Sequence, residues 1–190
     1  MKRILVGLGF SLLLLALGCG GKEAQAPAGQ GRAANAATPQ APDVRALYPE
    51  PPAGLVGQIV YVPIYSSIFY FDSQQTRELS AMLSIHNIDL EKRIELTRVD
   101  YYNTKGQLVR TYLEQPVGLN PLETTSFVVA EQDRTGGTGA NFIVAWQAPG
   151  EISPPLVEAV MTGSSSAGMV SLTSSGKVTR SFGLGRTHLE

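Results

Sequence analysis

The feature that most restricts this chain is a two-residue period near its middle. From Leu79 to Asn87, the residues Leu79, Ala81, Leu83 and Ile85 share one phase, and Ser80, Met82, Ser84 and His86 share the other. A helix cannot put alternate residues on one side, whereas a strand with one face on a core must. Asn141 to Trp146 repeats the pattern with Phe142, Val144 and Trp146. The same reasoning predicts strands at Gln58–Tyr65, Ile94–Tyr102, Gln107–Leu113, Thr124–Glu131, Leu156–Thr162 and Met169–Thr173.

Details of these segments sharpen the expectation. In Ile94–Tyr102, Ile94 and Leu96 hold one phase while Val99 and Tyr101 hold the opposite one, so a bulge or a change of sheet is predicted at about Arg98. Tyr101 and Tyr102 are adjacent and point to opposite faces, so at least one faces the core. Asn103-Thr104-Lys105-Gly106 has the chemistry of a hairpin turn, and Asn87 to Glu91 reads as a further turn. Pro63 inside the first segment suits an edge strand or a bulge. The nearest helical rival, Glu151–Thr162, is broken by Pro154 and Pro155.

Eight short strands at roughly ten-residue spacing predict an all-β, antiparallel immunoglobulin-like sandwich, with a small barrel as the alternative. The 20 glycines, 12 prolines and 16% charged residues agree with a turn-rich β domain. The tail from Lys177 onward is expected to fray, with Phe182 available to dock.

The N-terminus has another character. Lys2 and Arg3 precede an apolar run from Ile4 to Leu17. A spanning helix needs about 20 apolar residues, so this shorter run reads as a signal peptide. Ala16-Leu17-Gly18-Cys19 looks like a bacterial lipobox, which implies a thioether-linked lipid on Cys19 and cleavage between Gly18 and Cys19. Cys19 is the single cysteine of the chain. It has no disulfide partner, and lipidation explains its place in an exported protein. The expected contact with a membrane is therefore through acyl chains, each buried methylene contributing about 0.8 kcal/mol. Gly20 in place of an aspartate leans towards the outer membrane where the cell has one. The rival reading, cleavage at an A-x-A-like site, leaves Cys19 a bystander.

From Gly20 to about Pro52 the chain is rich in Ala, Gly, Pro and Gln, with no large apolar residue before Leu47 and Tyr48. Such a stretch is expected to be a disordered tether with an r.m.s. reach of about 30 Å. The expected organisation is a leader over residues 1–18, a lipidated cysteine and linker over 19–52, a sandwich over 53–178 and a flexible tail over 179–190.

The segments VPIYSSIF (Val62 to Phe69), LSIHNID (Leu83 to Asp89), VDYYNTKGQLVRTYL (Val99 to Leu113), FVVAEQDRTGGTGANFIVAW (Phe127 to Trp146) and VEAVMTG (Val157 to Gly163) resemble the uncharacterised bacterial family DUF3124. The GGTGANF and VDYY pieces are its most specific parts, and the resemblance runs from about Val62 to Val178. It implies a small exported or lipid-anchored protein and brings no catalytic residue with it.

Net charge is −1, and the leader carries Lys2 and Arg3 and no acid, so the mature form is near −3. Lys and Arg are scattered singly, which argues against a nucleic-acid partner. The chemically richest loop is Asp133 to Asn141. Gly136, Gly137 and Gly139 would let the backbone approach an anion, and Asp133 with Asn141 offers oxygens to Ca²⁺, yet the spacing fits neither a P-loop nor an EF-hand. The favoured reading is a hairpin loop whose glycines meet unusual φ values. Catalysis would need His86 as a base with a carboxylate such as Asp100 or Asp133, and no G-x-S-x-G elbow supplies a nucleophile. Two histidines and the dispersed Met82, Met161 and Met169 make a poor metal set, and no cofactor is expected. Tyr61, Tyr65, Tyr70, Tyr101 and Tyr102 suggest either an aromatic platform for peptides or glycans, or simply half-buried strand positions. The expectation is an envelope protein that binds or assembles and does not catalyse. A hydrolase using His86 and a small-ligand or metal carrier are the alternatives. The expected contact surfaces are the 133–141 loop and an open edge at Gln58–Tyr65.

Overall fold

The structure, a computed structural model, describes residues 44–165 and 168–183. They form an all-β antiparallel sandwich with no closed barrel. The leader, Cys19 and most of the tether lie outside the described residues. So do residues 184–190.

Twelve strands are described: β1 (Leu55–Ile64), β2 (Ser67–Tyr70), β3 (Asp72–Glu78), β4 (Ser80–His86), β5 (Ile94–Tyr102), β6 (Leu108–Thr111), β7 (Val117–Leu119), β8 (Thr124–Val129), β9 (Ala140–Pro149), β10 (Leu156–Ser165), β11 (Gly168–Ser175) and β12 (Lys177–Phe182). One sheet runs β12-β1-β9-β5-β6, with β7 paired to the first half of β5 and β6 to its second half. The facing sheet runs β11-β10-β4-β8, and β2 and β3 form a separate ribbon.

All eight anticipated strands are present. Leu79, Ala81, Leu83 and Ile85 are fully buried in one core with Val60, Val62, Ile64, Val144 and Trp146 from the opposite sheet. Each of the Val, Leu and Ile side chains among them contributes about 1.5–3 kcal/mol on leaving water. The phase switch in β5 is a break in register with β9 between Leu96 and Arg98. It sends Val99 and Tyr101 into the core and turns Arg98, Asp100 and Tyr102 to the outer side of the sheet.

Three expectations are corrected. First, β1 is not an edge strand: β9 flanks it on one side and β12 on the other. Pro63 is tolerated because β12 pairs only as far as Tyr61, so its missing N–H faces no partner strand there. Second, Lys177–Phe182 is a strand, not a frayed tail, and Thr179 Oγ1 also donates to the Ile59 carbonyl at 3.0 Å. Third, the tether ends earlier than Pro52. Val44–Leu47 forms a 3-10 turn and Tyr48 is only 3% exposed, packed with Ile59 and Ala145 on the outer face of the six-stranded sheet. Leu47 packs against the same small cluster, so residues 44–48 are fastened to the sheet.

Candidate functional site

The 133–141 loop is not the hairpin loop expected, because β8 and β9 belong to different sheets; it crosses between the sheets and is assembled from the inside. Gly136 is buried, and its carbonyl accepts from the Thr104 N–H and hydroxyl, both at 2.9 Å. The Gly137 carbonyl accepts from the Ser66 N–H and hydroxyl, both at 3.2 Å, and the Gly139 N–H donates to Thr104 Oγ1 at 3.0 Å. Asp133 takes the Thr135 N–H at 3.0 Å and its hydroxyl in a local turn. Asn141 belongs to β9, opposite Pro63 and Tyr102. These polar groups are committed to neighbouring chain and do not converge on a vacant centre. The glycines are there for close approach: a Cβ on Gly136 would lie 1.9 Å from the Tyr101 hydroxyl, and Gly137 has φ +76.

His86 sits on the outer face of the four-stranded sheet. Its Nδ1 is 2.9 Å from Thr124 Oγ1 on β8, and its Nε2 is 3.7 Å from Glu158 on β10. The register explains the line, since His86 pairs with Thr124 and Glu158 pairs with Ser84 one row away. Neither Asp100 nor Asp133 joins it. Asp100 lies in the other sheet and Asp133 in the loop, so the carboxylates anticipated as partners of His86 are on separate surfaces. Thr124 and Glu158 went unnoticed in the sequence because only cross-strand register brings them beside His86.

Asp100 is fully buried. It is ion-paired to the Arg98 guanidinium two residues back, and Tyr48 donates to it at 2.7 Å. The Tyr48 and Tyr102 hydroxyls are 3.0 Å apart. Burial, then the Tyr102 and Asp100 hydrogen bonds, raise the Tyr48 phenol far above its ordinary range, so it is a permanent donor. Burial works to lower the Arg98 pKa, but the Asp100 hydrogen bond and charge outweigh it and hold the guanidinium above its usual value. The cluster is an electrostatic clasp that fastens the 44–48 segment onto the sheet. Opposite charges two apart on a strand were its one signal in the sequence.

The methionines do not gather: Met161 is buried at 1%, while Met82 and Met169 are 41% and 79% exposed. Among the described residues no group of three His, Cys, Asp or Glu side chains is placed to hold a metal, and no helix is long and apolar enough to cross a membrane. Of the tyrosines, Tyr101 is buried in the main core and Tyr102 beneath Tyr48, whereas Tyr65 is 38% exposed. A depression of about 390 Å³ lies at one end of the six-stranded sheet, beside Lys92, Glu95 and Gln147. Three of its polar heads are engaged, with Gln147 Nε2 donating to Glu95 at 2.6 Å and Lys92 donating to the Glu151 carbonyl.

The β2–β3 ribbon carries two exposed phenylalanines. Phe69 and Phe71 are 58% and 88% exposed beside Tyr70, whose ring is 4.1 Å from that of Phe71. Phe71 has φ +62, a conformation that favours glycine. Arg77 stacks over the Tyr70 ring at 3.9 Å. Ile68 roots the ribbon against the main core. The sequence hid this site, because Asp72–Glu78 is wholly polar and Ser67–Tyr70 is four residues long.

Fold and contacts together define an all-β sandwich domain whose chemically capable side chains are spread over separate faces. Residues 57–179 match the family described as "Protein of unknown function (DUF3124)", and the chain belongs to that family. No curated protein matches it. A solved structure from Thermotoga maritima, titled "Crystal Structure of Thermotoga maritima 1070", is similar at 10% identity and a TM-score of 0.37, over 63% of this chain and 92% of that one.

Proposed function

We propose that this DUF3124 member is a lipid-anchored envelope protein whose sandwich is a non-catalytic binding or assembly module. The observation that carries the reading is how the sandwich uses its groups. The polar side chains that chemistry would need are turned on one another in the clasp and the loop, while large aromatic side chains stay in water on the β2–β3 ribbon. Exposed apolar patches of this kind mark contact surfaces. The leader and Cys19 supply the place: acyl chains on the thiol hold the module at a membrane, facing the periplasm or the exterior, with Gly20 favouring the outer membrane where there is one.

The test has two arms. Mass measurement of the native N-terminal peptide is expected to show acylated Cys19, and Cys19→Ser is expected to move the protein to the soluble fraction. Crosslinking in intact cells is expected to retrieve envelope components. An unmodified thiol on a membrane-bound protein would overturn the anchor.

The hydrolase reading has one supporting observation, the Thr124–His86–Glu158 line. It lies on the outer face of the four-stranded sheet, and at 3.7 Å the Glu158 carboxylate stands beyond hydrogen-bond reach of the imidazole. Native mass spectrometry of the purified protein would reveal a carried ligand or metal, the reading of a different class.

A further inference from the structure

We infer that the aromatic tip of the β2–β3 ribbon is a second membrane contact, lying in the head-group layer of the bilayer that holds the anchor. The inference rests on the lipid-anchor reading above and adds to it which face of the sandwich meets the membrane.

Four observations converge. Phe69 and Phe71 are among the most exposed large apolar residues described, at 58% and 88%, and they flank Tyr70 in the β2–β3 ribbon. Phe71 holds a left-handed backbone at φ +62. Folding alone would favour glycine there, and the ring makes its described aromatic contact only with its neighbour Tyr70. Strain kept at an exposed aromatic marks a residue retained for contact, not for packing.

Of the acids around the tip, Glu78 pairs with Arg134 at 3.6 Å, and the exposed Asp72 carboxylate is turned into its own turn, accepting the Gln74 and Gln75 N–H groups at 2.8 and 3.1 Å. Arg77, stacked on Tyr70, sets a cation just behind the rings. Aromatic rings with a snorkelling cation match the layered polarity of a lipid interface, where such side chains enter about 5–10 Å.

The fourth observation is length. Between Cys19 and the first described residue, Val44, lie the 24 residues Gly20 to Asp43. They span at most about 80 Å, against a sandwich about 40 Å across. Any face of the domain therefore reaches the bilayer. The tether does not choose the face, but the aromatic tip does. Held this close, even weak partitioning of two phenyl rings becomes a one-molecule event.

The experiment uses the mature protein purified from envelopes and reconstituted into phosphatidylethanolamine–phosphatidylglycerol vesicles with brominated acyl chains. The single native tryptophan, Trp146, is 1% exposed in the core and serves as an unquenched reference. Phe71→Trp and, as a second probe with ordinary backbone, Phe69→Trp are compared with Leu90→Trp, an exposed position beyond the opposite end of β4. The inference expects blue-shifted emission from the two ribbon probes and its quenching by brominated lipid, with Leu90→Trp unaffected. Unquenched ribbon probes overturn it, as does a blue shift without quenching, which would mean that a protein or a second copy covers the tip. The mass of the N-terminal peptide is read on the same sample. Acylated Cys19 with unquenched probes refutes the tip alone, whereas a free thiol refutes the anchor.

Discussion

Gly136→Ala separates packing from ligand binding in the loop. Gly136 has φ −74 and ψ −45, so alanine meets no backbone objection. The cost is steric. The new Cβ would stand 1.9 Å from the Tyr101 hydroxyl, 2.7 Å from Ser66 Oγ and 2.9 Å from the Ala140 Cβ. Tyr101 cannot retreat easily, because it is fully buried with its ring centroid 5.5 Å from that of Phe142. The loop is pinned in turn by the Thr104 hydrogen bonds to the Gly136 carbonyl. Overpacking of this kind costs about 2–3 kcal/mol, or a Tm lower by about 6–12 °C for a domain of this size.

Tyr101→Phe removes the nearest obstacle. The Ser66 and Thr135 hydroxyls lie beside the Tyr101 hydroxyl without hydrogen-bond geometry, so this change alone costs under about 1 kcal/mol. Ser66 Oγ and the Ala140 Cβ remain close, so the double variant recovers only part of the loss, with a coupling of about 1 kcal/mol. Urea unfolding followed by Trp146 fluorescence measures all four corners of the cycle. Wild-type stability in Gly136→Ala, or strict additivity with Tyr101→Phe, would refute the packing account and return the loop to the ligand-binding candidates.

Tyr48→Phe removes a buried hydrogen bond to a charged acceptor and is expected to cost about 1.5–3 kcal/mol; limited trypsinolysis should then cut faster after Arg45. Asp100→Ala strands Arg98, whose side chain is 29% exposed and relieves part of its charge through water. The loss should be about 2–4 kcal/mol, and Asp100→Ala/Arg98→Ala should be less than additive. Phe71→Gly relieves the left-handed strain and is expected to stabilise by about 1 kcal/mol in urea unfolding, while lowering membrane contact. Acid should loosen the 87–92 turn. The N–H groups of Ser153, Glu91 and Lys92 hold the Asp89 carboxyl below its ordinary value, so its contribution is present above the unfolded pKa of about 3.9 and is lost as pH falls through the folded one. Amide exchange in that turn should rise below about pH 4 in the wild type, and Asp89→Asn should flatten the response.

How far the sequence could be read depended on what each strand does. β4 and β9 were plain because one face is wholly apolar, and Arg98 betrayed its bulge by reversing the phase around it. β12 was hidden because a cover strand at the rim buries little: of its residues only Arg180 and Phe182 are even half-buried. Asn87 looked like turn punctuation and is instead 1% exposed, with its amide donating to the carbonyls of Lys92, Leu119 and Asn120. The loop glycines were legible as conformational punctuation, but their tight fit under Tyr101 and Thr104 needed three distant segments in place. The clasp needed Tyr48 brought 52 residues along the chain to Asp100.

The pairing of β1 with β12 bears on how the protein is made. Gly57 meets Phe182 and Tyr61 meets Lys177, so the first strand obtains its second neighbour from the last strand described. A chain synthesised or exported only as far as Gly176 carries a long apolar strand with a bare rim, a template for joining another molecule. Its folding thus includes an interval of vulnerability that closes only when Lys177–Phe182 docks on β1. Truncation there should yield an aggregation-prone product rather than a slightly shorter domain.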